Sequence, residues 1–214
     1  MTLEPWQAEI AHPAPASPRE RILAAVIDCI EKDGINNLTT RAIAKEAGTN
    51  IASINYYFRS KDALVAEALR MSLAHMLGDV QQLVADPRRP VMGALEEAFI
   101  YLLDGTVRFP GISMANLFSA LVEKDYYSPG AQAVRQIFEW MVERLGAAYP
   151  TREPAAVRVT LYQVVSTILF TMLAPGFFLG SLEVDFGSEA QRRAFARELC
   201  KTLEARLESD PKGF

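Results

Sequence analysis

The chain has 214 residues, of which 50% are hydrophobic and 22% are charged, a composition typical of a globular protein with a sizeable core. Its net charge of −4 at first argues against a nucleic-acid-binding protein. Only two cysteines occur, Cys29 and Cys200, and neither lies in a CxxC or Cys/His pattern. Both are therefore expected to be reduced thiols in a cytoplasmic protein, which argues against a disulfide or a redox switch.

Residues 1–17 are rich in proline and alanine and are predicted to form a disordered arm. They carry neither the basic n-region nor the continuous apolar stretch of a secretory signal. The first helix is predicted to begin after Ser17, because Ser17, Pro18 and Glu20 form the pattern of a capping box with proline in the first turn. Gly34 is predicted to end that helix.

The segment 39–61 is predicted to form two short helices joined by a tight turn. Ile43 and Ala47 give the first helix an apolar side, and Gly48 follows where a left-handed residue most easily ends a helix. The second helix can pack on the first through Ile54 and Phe58, with polar residues on its other sides. The segment holds four basic residues and one acid, so an acidic chain carries a basic tip. This layout is typical of a helix-turn-helix, whose second helix enters the DNA major groove.

Three short stretches here carry a resemblance to a known family: TTRAIAKEAG from Thr39, NYYF from Asn55 and SK-x-A-L from Ser60. Through them, residues 18–78 resemble the DNA-binding domain of the TetR family of bacterial transcriptional regulators. Asn55 stands where the family most often has Tyr, and Arg59 where many members have Gly or Pro. The resemblance implies DNA contacts by eight residues: Thr40, Arg41, Ala52, Ser53, Asn55, Tyr56, Tyr57 and Lys61.

The chemistry of these residues divides their expected roles. Those with hydroxyl or ammonium donors suited to phosphate oxygens are Thr40, Tyr57 and Lys61. Those better placed for base edges or thymine methyl groups are Ser53, Asn55 and Tyr56. Two points stay open from the residues alone, because Ile51 could either pack internally or contact a base, and Tyr57 could rest on the core of the small domain.

The rest of the chain reads as helices. Ser60 is predicted to cap a fourth helix that continues towards Val84, and a break follows at 86–90. Further helices are predicted at 91–107, 111–124, 129–148, 153–175 and 188–208, with no convincing strand. The predicted fold is all-α with about nine helices. It comprises a three-helix DNA-binding domain at 18–62, with the helix-turn-helix at 39–58, and a larger C-terminal helical bundle at 63–214 for effector binding and dimerisation.

The stretch 159–182 contains no charged residue, so a transmembrane helix is one alternative for it. Polar residues within it, the break at Pro175-Gly176 and the absence of a strong flanking Lys/Arg bias argue against a membrane span. A helix buried on nearly all sides, at the interface of a homodimer, explains it better. Six residues are assigned to that interface: Leu161, Val165, Ile168, Met172, Phe195 and Leu199.

The larger domain is rich in phenylalanine and methionine, which at helical spacing are mostly ordinary core residues. The family resemblance nevertheless implies that this domain holds a small-molecule effector, and such side chains would line a pocket for an apolar one. Six are assigned to that pocket: Phe99, Phe109, Met114, Phe118, Phe138 and Phe170.

Enzyme signatures are missing from the sequence, which has no Gly-rich phosphate loop, no G-x-S-x-G and no metal-ligand spacing. We therefore predict no cofactor, no metal and no catalytic residue. The chain is interpreted as a cytoplasmic homodimeric repressor, released from a pseudo-palindromic operator in double-stranded DNA by a small apolar effector. A constitutive DNA-binding protein and an enzyme remain as alternatives. The absence of a cavity in the large domain would favour the constitutive DNA-binding protein. A cavity lined by a convergent cluster of polar residues would favour the enzyme.

Overall fold

The computed structural model describes residues 17–174, 176–177, 181 and 183–209, so the predicted arm at 1–17 lies outside the described residues except for Ser17. The described residues form nine α-helices and no strand, which confirms the all-α prediction. The helices are α1 Pro18–Asp33, α2 Thr40–Glu46, α3 Ile51–Tyr57, α4 Lys61–Ala85, α5 Val91–Arg108, α6 Pro110–Leu121, α7 Pro129–Ala148, α8 Pro154–Leu173 and α9 Glu189–Ser209. A short 3₁₀ helix, Ile35–Asn37, follows α1. The chain divides into two compact units between Ser72 and Leu73, within α4, whereas the sequence placed the domain boundary at 62/63.

Local capping fixes both ends of α1. The Glu20 amide donates to Ser17 Oγ (3.2 Å) and the Ser17 amide donates to a Glu20 carboxylate oxygen (3.0 Å), which is the predicted capping box. Gly34 ends the helix with a φ of 78°, a value that L side chains rarely adopt, and its amide donates to the Ile30 carbonyl (2.9 Å). The apolar side of α1 is buried, so α1 is the helix on which α2 packs in the first unit.

The core of the second unit is formed by the C-terminal part of α4 together with α5, α7, α8 and α9. Its largest fully buried side chains include Phe99, Met141, Leu161 and Leu203, one from each of the four later helices. Removing such side chains from water is the main favourable term in folding, so the packing of these four helices is what stabilises the unit.

A buried ion pair joins α5 to α9 inside this unit. The Arg192 Nε donates to Asp104 Oδ1 (2.5 Å), and both side chains are less than a tenth exposed. Another guanidinium nitrogen of Arg192 donates to the carbonyls of Phe186 (2.6 Å) and Gly187 (3.0 Å). The buried charge of Asp104 is thus compensated, and the segment before α9 is tied to the same arginine.

The start of α7 lies directly against the backbone of α6. A Cβ atom added at Gly130 would fall 1.8 Å from the Asn116 carbonyl oxygen and 2.8 Å from the Asn116 carbonyl carbon. The two helices can approach this closely only because residue 130 has no side chain.

Two different sides of α8 are apolar. One is buried in the core of the second unit and consists of Val157, Leu161, Val164 and Ile168. The opposite side we call the outward stripe: Val159, Tyr162, Ser166, Leu169 and Leu173. No residue of the outward stripe is buried, and Tyr162 is 63% exposed. By length and composition alone, α8 is the one helix among the described residues that could cross a membrane, and 22% of its most apolar window is buried in the chain.

These positions correct the predicted dimer interface. Leu161 and Ile168 are 0% and 2% exposed because they fill the core of their own chain, so they cannot form an outward surface. The other four assigned residues are half-buried and pack against that core: Val165, Met172, Phe195 and Leu199. Apolar periodicity could not distinguish the two sides, because α8 is apolar around most of its circumference.

Candidate nucleic-acid interface

A cap at the start of α2 and the predicted glycine at its end fix this helix and the turn that follows it. The Thr39 hydroxyl accepts a backbone hydrogen bond at the start of α2 (3.1 Å). Gly48 follows α2 with a φ of 61°, in the left-handed region that favours glycine. The amide of Thr49 donates to the Ala44 carbonyl (2.9 Å), so the chain turns back tightly before α3 begins.

The helix α3 is short, and its orientation is set at both ends. Asn50 Oδ1 accepts a hydrogen bond from the Ser53 amide (2.8 Å), which caps the first turn. Ile54 and Phe58 are 2% and 4% exposed and anchor the other side of α3 in the first unit, where α3 contacts α2. A helix of seven residues is marginal in water, so the cap and these two anchors are what keep α3 formed.

The predicted base-reading residues lie on the exposed side of α3. Ala52 and Asn55 are exposed, Tyr56 is 82% exposed, and Ser53 is half-buried. Ile51, which periodicity alone could not place, is 45% exposed and therefore does not belong to the core. Amide, hydroxyl and methyl groups are thus presented together at one surface, and these are the groups that read base edges in the major groove.

The paired tyrosines have different surroundings. The rings of Tyr56 and Tyr57 meet edge to face, with centroids 5.0 Å apart. Tyr57 is less exposed than Tyr56, and its ring lies 6.5 Å from that of Phe58, which is buried. The structure therefore places Tyr57 at the edge of the small core, with part of its surface still open to a phosphate.

The helix-turn-helix segment also carries exposed basic side chains. Arg41, Lys45 and Arg59 are exposed, and within the described part of the chain no carboxylate pairs with Arg41 or Arg59. The single acid of the helix-turn-helix segment, Glu46, has a carboxylate oxygen 3.4 Å from Lys32 Nζ. The local charge is therefore positive although the chain as a whole is acidic.

Lys61 has a role that sequence reasoning missed. Its ammonium group donates to the Leu38 carbonyl at 3.0 Å, which ties the first residue of α4 to the residue that precedes the α2 cap. An ammonium has three donors, so a phosphate contact by Lys61 stays a prediction. No pattern signals this bond, since its partner lies 23 positions earlier in the chain.

The six candidate effector residues lie in different environments of the second unit. Phe99 is 1% exposed and belongs to the core, so it does not line an open pocket in this structure. Two are exposed, Met114 and Phe170. The other three are half-buried: Phe109, Phe118 and Phe138. The ring of Phe170 lies 5.6 Å from that of Phe177, at the end of α8.

Comparison with known proteins places the N-terminal part of the chain in a family. Residues 22–68 match the family model described as bacterial regulatory proteins, tetR family. The HTH-type transcriptional repressor KstR2 of Mycolicibacterium smegmatis (strain ATCC 700084 / mc(2)155) is 32% identical over 77 residues. That match spans 36% of this chain and 38% of KstR2, so it covers less than half of either protein.

Solved structures extend the likeness to nearly the whole chain. The fatty acid degradation regulator FadR from Bacillus halodurans superposes with a TM-score of 0.63 at 12% identity, over 89% of this chain and 96% of FadR. The transcriptional regulator FadR from Bacillus subtilis, in complex with stearoyl-CoA, superposes with a TM-score of 0.58 at 14% identity, over 89% and 98%. At these identities the likeness shows a shared fold.

Proposed function

From the match of residues 22–68 to the family model of bacterial regulatory proteins, tetR family, we propose that this chain is a cytoplasmic repressor that binds a pseudo-palindromic operator as a homodimer and leaves it when a small apolar effector binds. The exposed side of α3 carries the proposal. It offers the Asn55 amide and the Tyr56 hydroxyl to bases, while the exposed Arg41 of α2, with no carboxylate partner among the described residues, is available for phosphates.

Sequence-specific binding is tested by selecting preferred duplexes from a random pool with the wild-type chain. Asn55→Ala should relax preference at one base position in each half-site, at a cost of about 1–3 kcal/mol. Asn36→Ala is the matched control, because Asn36 is also exposed but precedes α2. An Asn55→Ala chain that selects the wild-type sequence with unchanged affinity would show that Asn55 does not read a base.

Pairing of two copies is required for selectivity, because one recognition helix reads only a short half-site. We assign the contact between copies to the outward stripe of α8. The stripe consists of the exposed Tyr162 and the half-buried Val159, Ser166, Leu169 and Leu173, which repeat at the helical spacing that a self-complementary helix contact needs. The opposite side of α8 is already occupied by the core of its own chain, so the stripe is the side left for a partner.

Tyr162→Glu tests this assignment by sedimentation at micromolar concentration. Tyr162 points away from the core, so the variant should fold, but a carboxylate buried between two apolar stripes is costly and should give monomers. Tyr127→Glu is the control, because Tyr127 is 84% exposed and lies between α6 and α7. A monomeric wild-type chain, or a Tyr162→Glu chain that stays dimeric, would contradict the assignment.

An apolar effector is supported by the half-buried aromatic side chains of the second unit and by the apolar acyl chain of the stearoyl-CoA bound to FadR from Bacillus subtilis. Such a ligand must bind the DNA-free state more tightly than the DNA-bound state, since equal affinity would shift nothing. By reciprocity, saturating effector should weaken operator binding by a factor corresponding to about 1–3 kcal/mol.

The probes are stearoyl-CoA and octadecanoic acid, titrated into the protein–operator complex. Phe118→Trp should change the affinity for an active probe while leaving operator binding without probe unchanged, because Phe118 is half-buried in the second unit. Binding of the probe to the wild-type and variant chains is measured by isothermal titration calorimetry, which does not depend on the number of tryptophans. If a bound probe at saturation leaves operator affinity unchanged, a constitutive DNA-binding protein becomes the better description.

A further inference from the structure

Ile51 is an apolar side chain on the surface of the helix that faces DNA in our proposal. It is the first residue of α3 and 45% exposed, whereas Ile54, nearly one turn later, is 2% exposed. The cap formed by Asn50 lies directly before it, so the first turn that carries Ile51 is fixed. The exposed isoleucine is therefore held at a defined place and is not part of a frayed end.

The position of Ile51 relative to Asn55 follows from helix geometry. Residues four apart lie on the same side of a helix, and both of these are exposed. Side chains lean towards the helix N-terminus, so Ile51 lies nearest the end of α3 from which a recognition helix contacts base edges. Ile51 and Asn55 thus form one continuous strip of surface.

The chemistry of Ile51 restricts what it can contact. It has no donor for a phosphate oxygen and no donor or acceptor for a base edge. The apolar group exposed in the major groove is the C5-methyl of thymine, which distinguishes T·A from the other pairs. Resting on the function proposed above, we propose that Ile51 packs against the methyl group of one thymine in each half-site, beside the base that Asn55 reads.

Deoxyuridine scanning tests this contact, because deoxyuridine lacks only the thymine methyl and keeps every base-pairing group. Each thymine of the selected operator is replaced in turn in one half-site, and the dissociation constant is measured for the wild-type, Ile51→Ala and Ile51→Val chains. Deoxyuridine at one position should weaken wild-type binding about fourfold, because the complex then lacks one methyl group that would otherwise be buried. Ile51→Ala should bind the thymine and deoxyuridine duplexes equally well, and Ile51→Val should keep most of the difference.

Val122→Ala is the control, since Val122 is an exposed aliphatic residue of the second unit and should leave the deoxyuridine response unchanged. Two results would overturn the inference: no thymine whose methyl matters to the wild-type chain, or the same loss in Ile51→Ala as in wild type. Either result leaves the proposed function intact, because the operator is still bound specifically. A selection that returns no preferred duplex would instead overturn the proposed function, and the contact of Ile51 with it.

Discussion

Gly130 and Gly146 lie in the same helix, yet the structure predicts opposite effects for replacing each with alanine. At Gly130 the new Cβ would lie 1.8 Å from the Asn116 carbonyl oxygen. Ordinary contact requires about 3.5 Å, so α6 and α7 would have to separate by roughly 1.5 Å or more. The obstacle is backbone, which cannot rotate away as a side chain can. At Gly146 an added Cβ meets nothing within 4 Å.

The magnitudes follow from these distances. Gly130→Ala should cost about 3 kcal/mol, the upper part of the usual range for overpacking. For a chain of this size that corresponds to a fall in melting temperature of about 6–12 °C. Gly146→Ala should raise stability by about 0.5 kcal/mol, because alanine loses less backbone entropy than glycine in a helix.

Thermal unfolding followed by far-UV circular dichroism measures both variants under the same conditions. The control is internal, since the two changes are chemically identical and lie in one helix, α7. A Gly130→Ala chain as stable as the wild type would refute the close approach of α6 and α7. Equal destabilisation by both variants would refute the explanation from the Asn116 contact.

Three other outcomes are expected. Asp104→Ala should cost about 3–5 kcal/mol in urea unfolding, because it leaves the Arg192 guanidinium buried without its carboxylate. Arg41→Ala should lower the salt dependence of operator binding by about one unit of slope, in a titration of affinity against salt, without changing the selected sequence. Burial raises the pKa of Cys200 to about 12 and also raises that of Cys29. Neither thiol should therefore be alkylated in the folded chain at neutral pH, as mass spectrometry would show, and stability should fall as pH rises above the ordinary thiol pKa of 9.0.

Features that depend on neighbouring residues were predictable from the sequence. The capping box at Ser17, the glycines at positions 34 and 48, and the cap by Asn50 all involve groups within a few positions of one another. Their chemistry allows few alternatives, so residue type and spacing suffice. The exposed side of α3 follows in the same way, because Ile54 and Phe58 fix which side must face inward.

Features that depend on distant residues were not predictable. The side of α8 that enters the core is decided by α5, α7 and α9, and an apolar helix gives no sign of that choice. The bond of Lys61 to the Leu38 carbonyl crosses 23 positions, so no local pattern indicates it. The pair of Asp104 with Arg192 spans 88 positions and has no local signature. In each case the contact is decided by tertiary packing, and the sequence alone does not distinguish the residue that makes it from other residues of the same type.

If two copies pair through α8 as proposed, the lifetime of the chain depends on its abundance. If the outward stripe is covered by a second copy, each folded copy is stabilised by mass action, and the melting temperature must rise with protein concentration. A tenfold dilution then costs about 1.4 kcal/mol per mole of dimer at 25 °C. Unpaired copies would leave the outward stripe uncovered, where chaperones and proteases could act on it. The protein would therefore be degraded faster, per molecule, at low concentration than at high concentration. Its cellular level would then rise more than proportionally when its rate of synthesis increases.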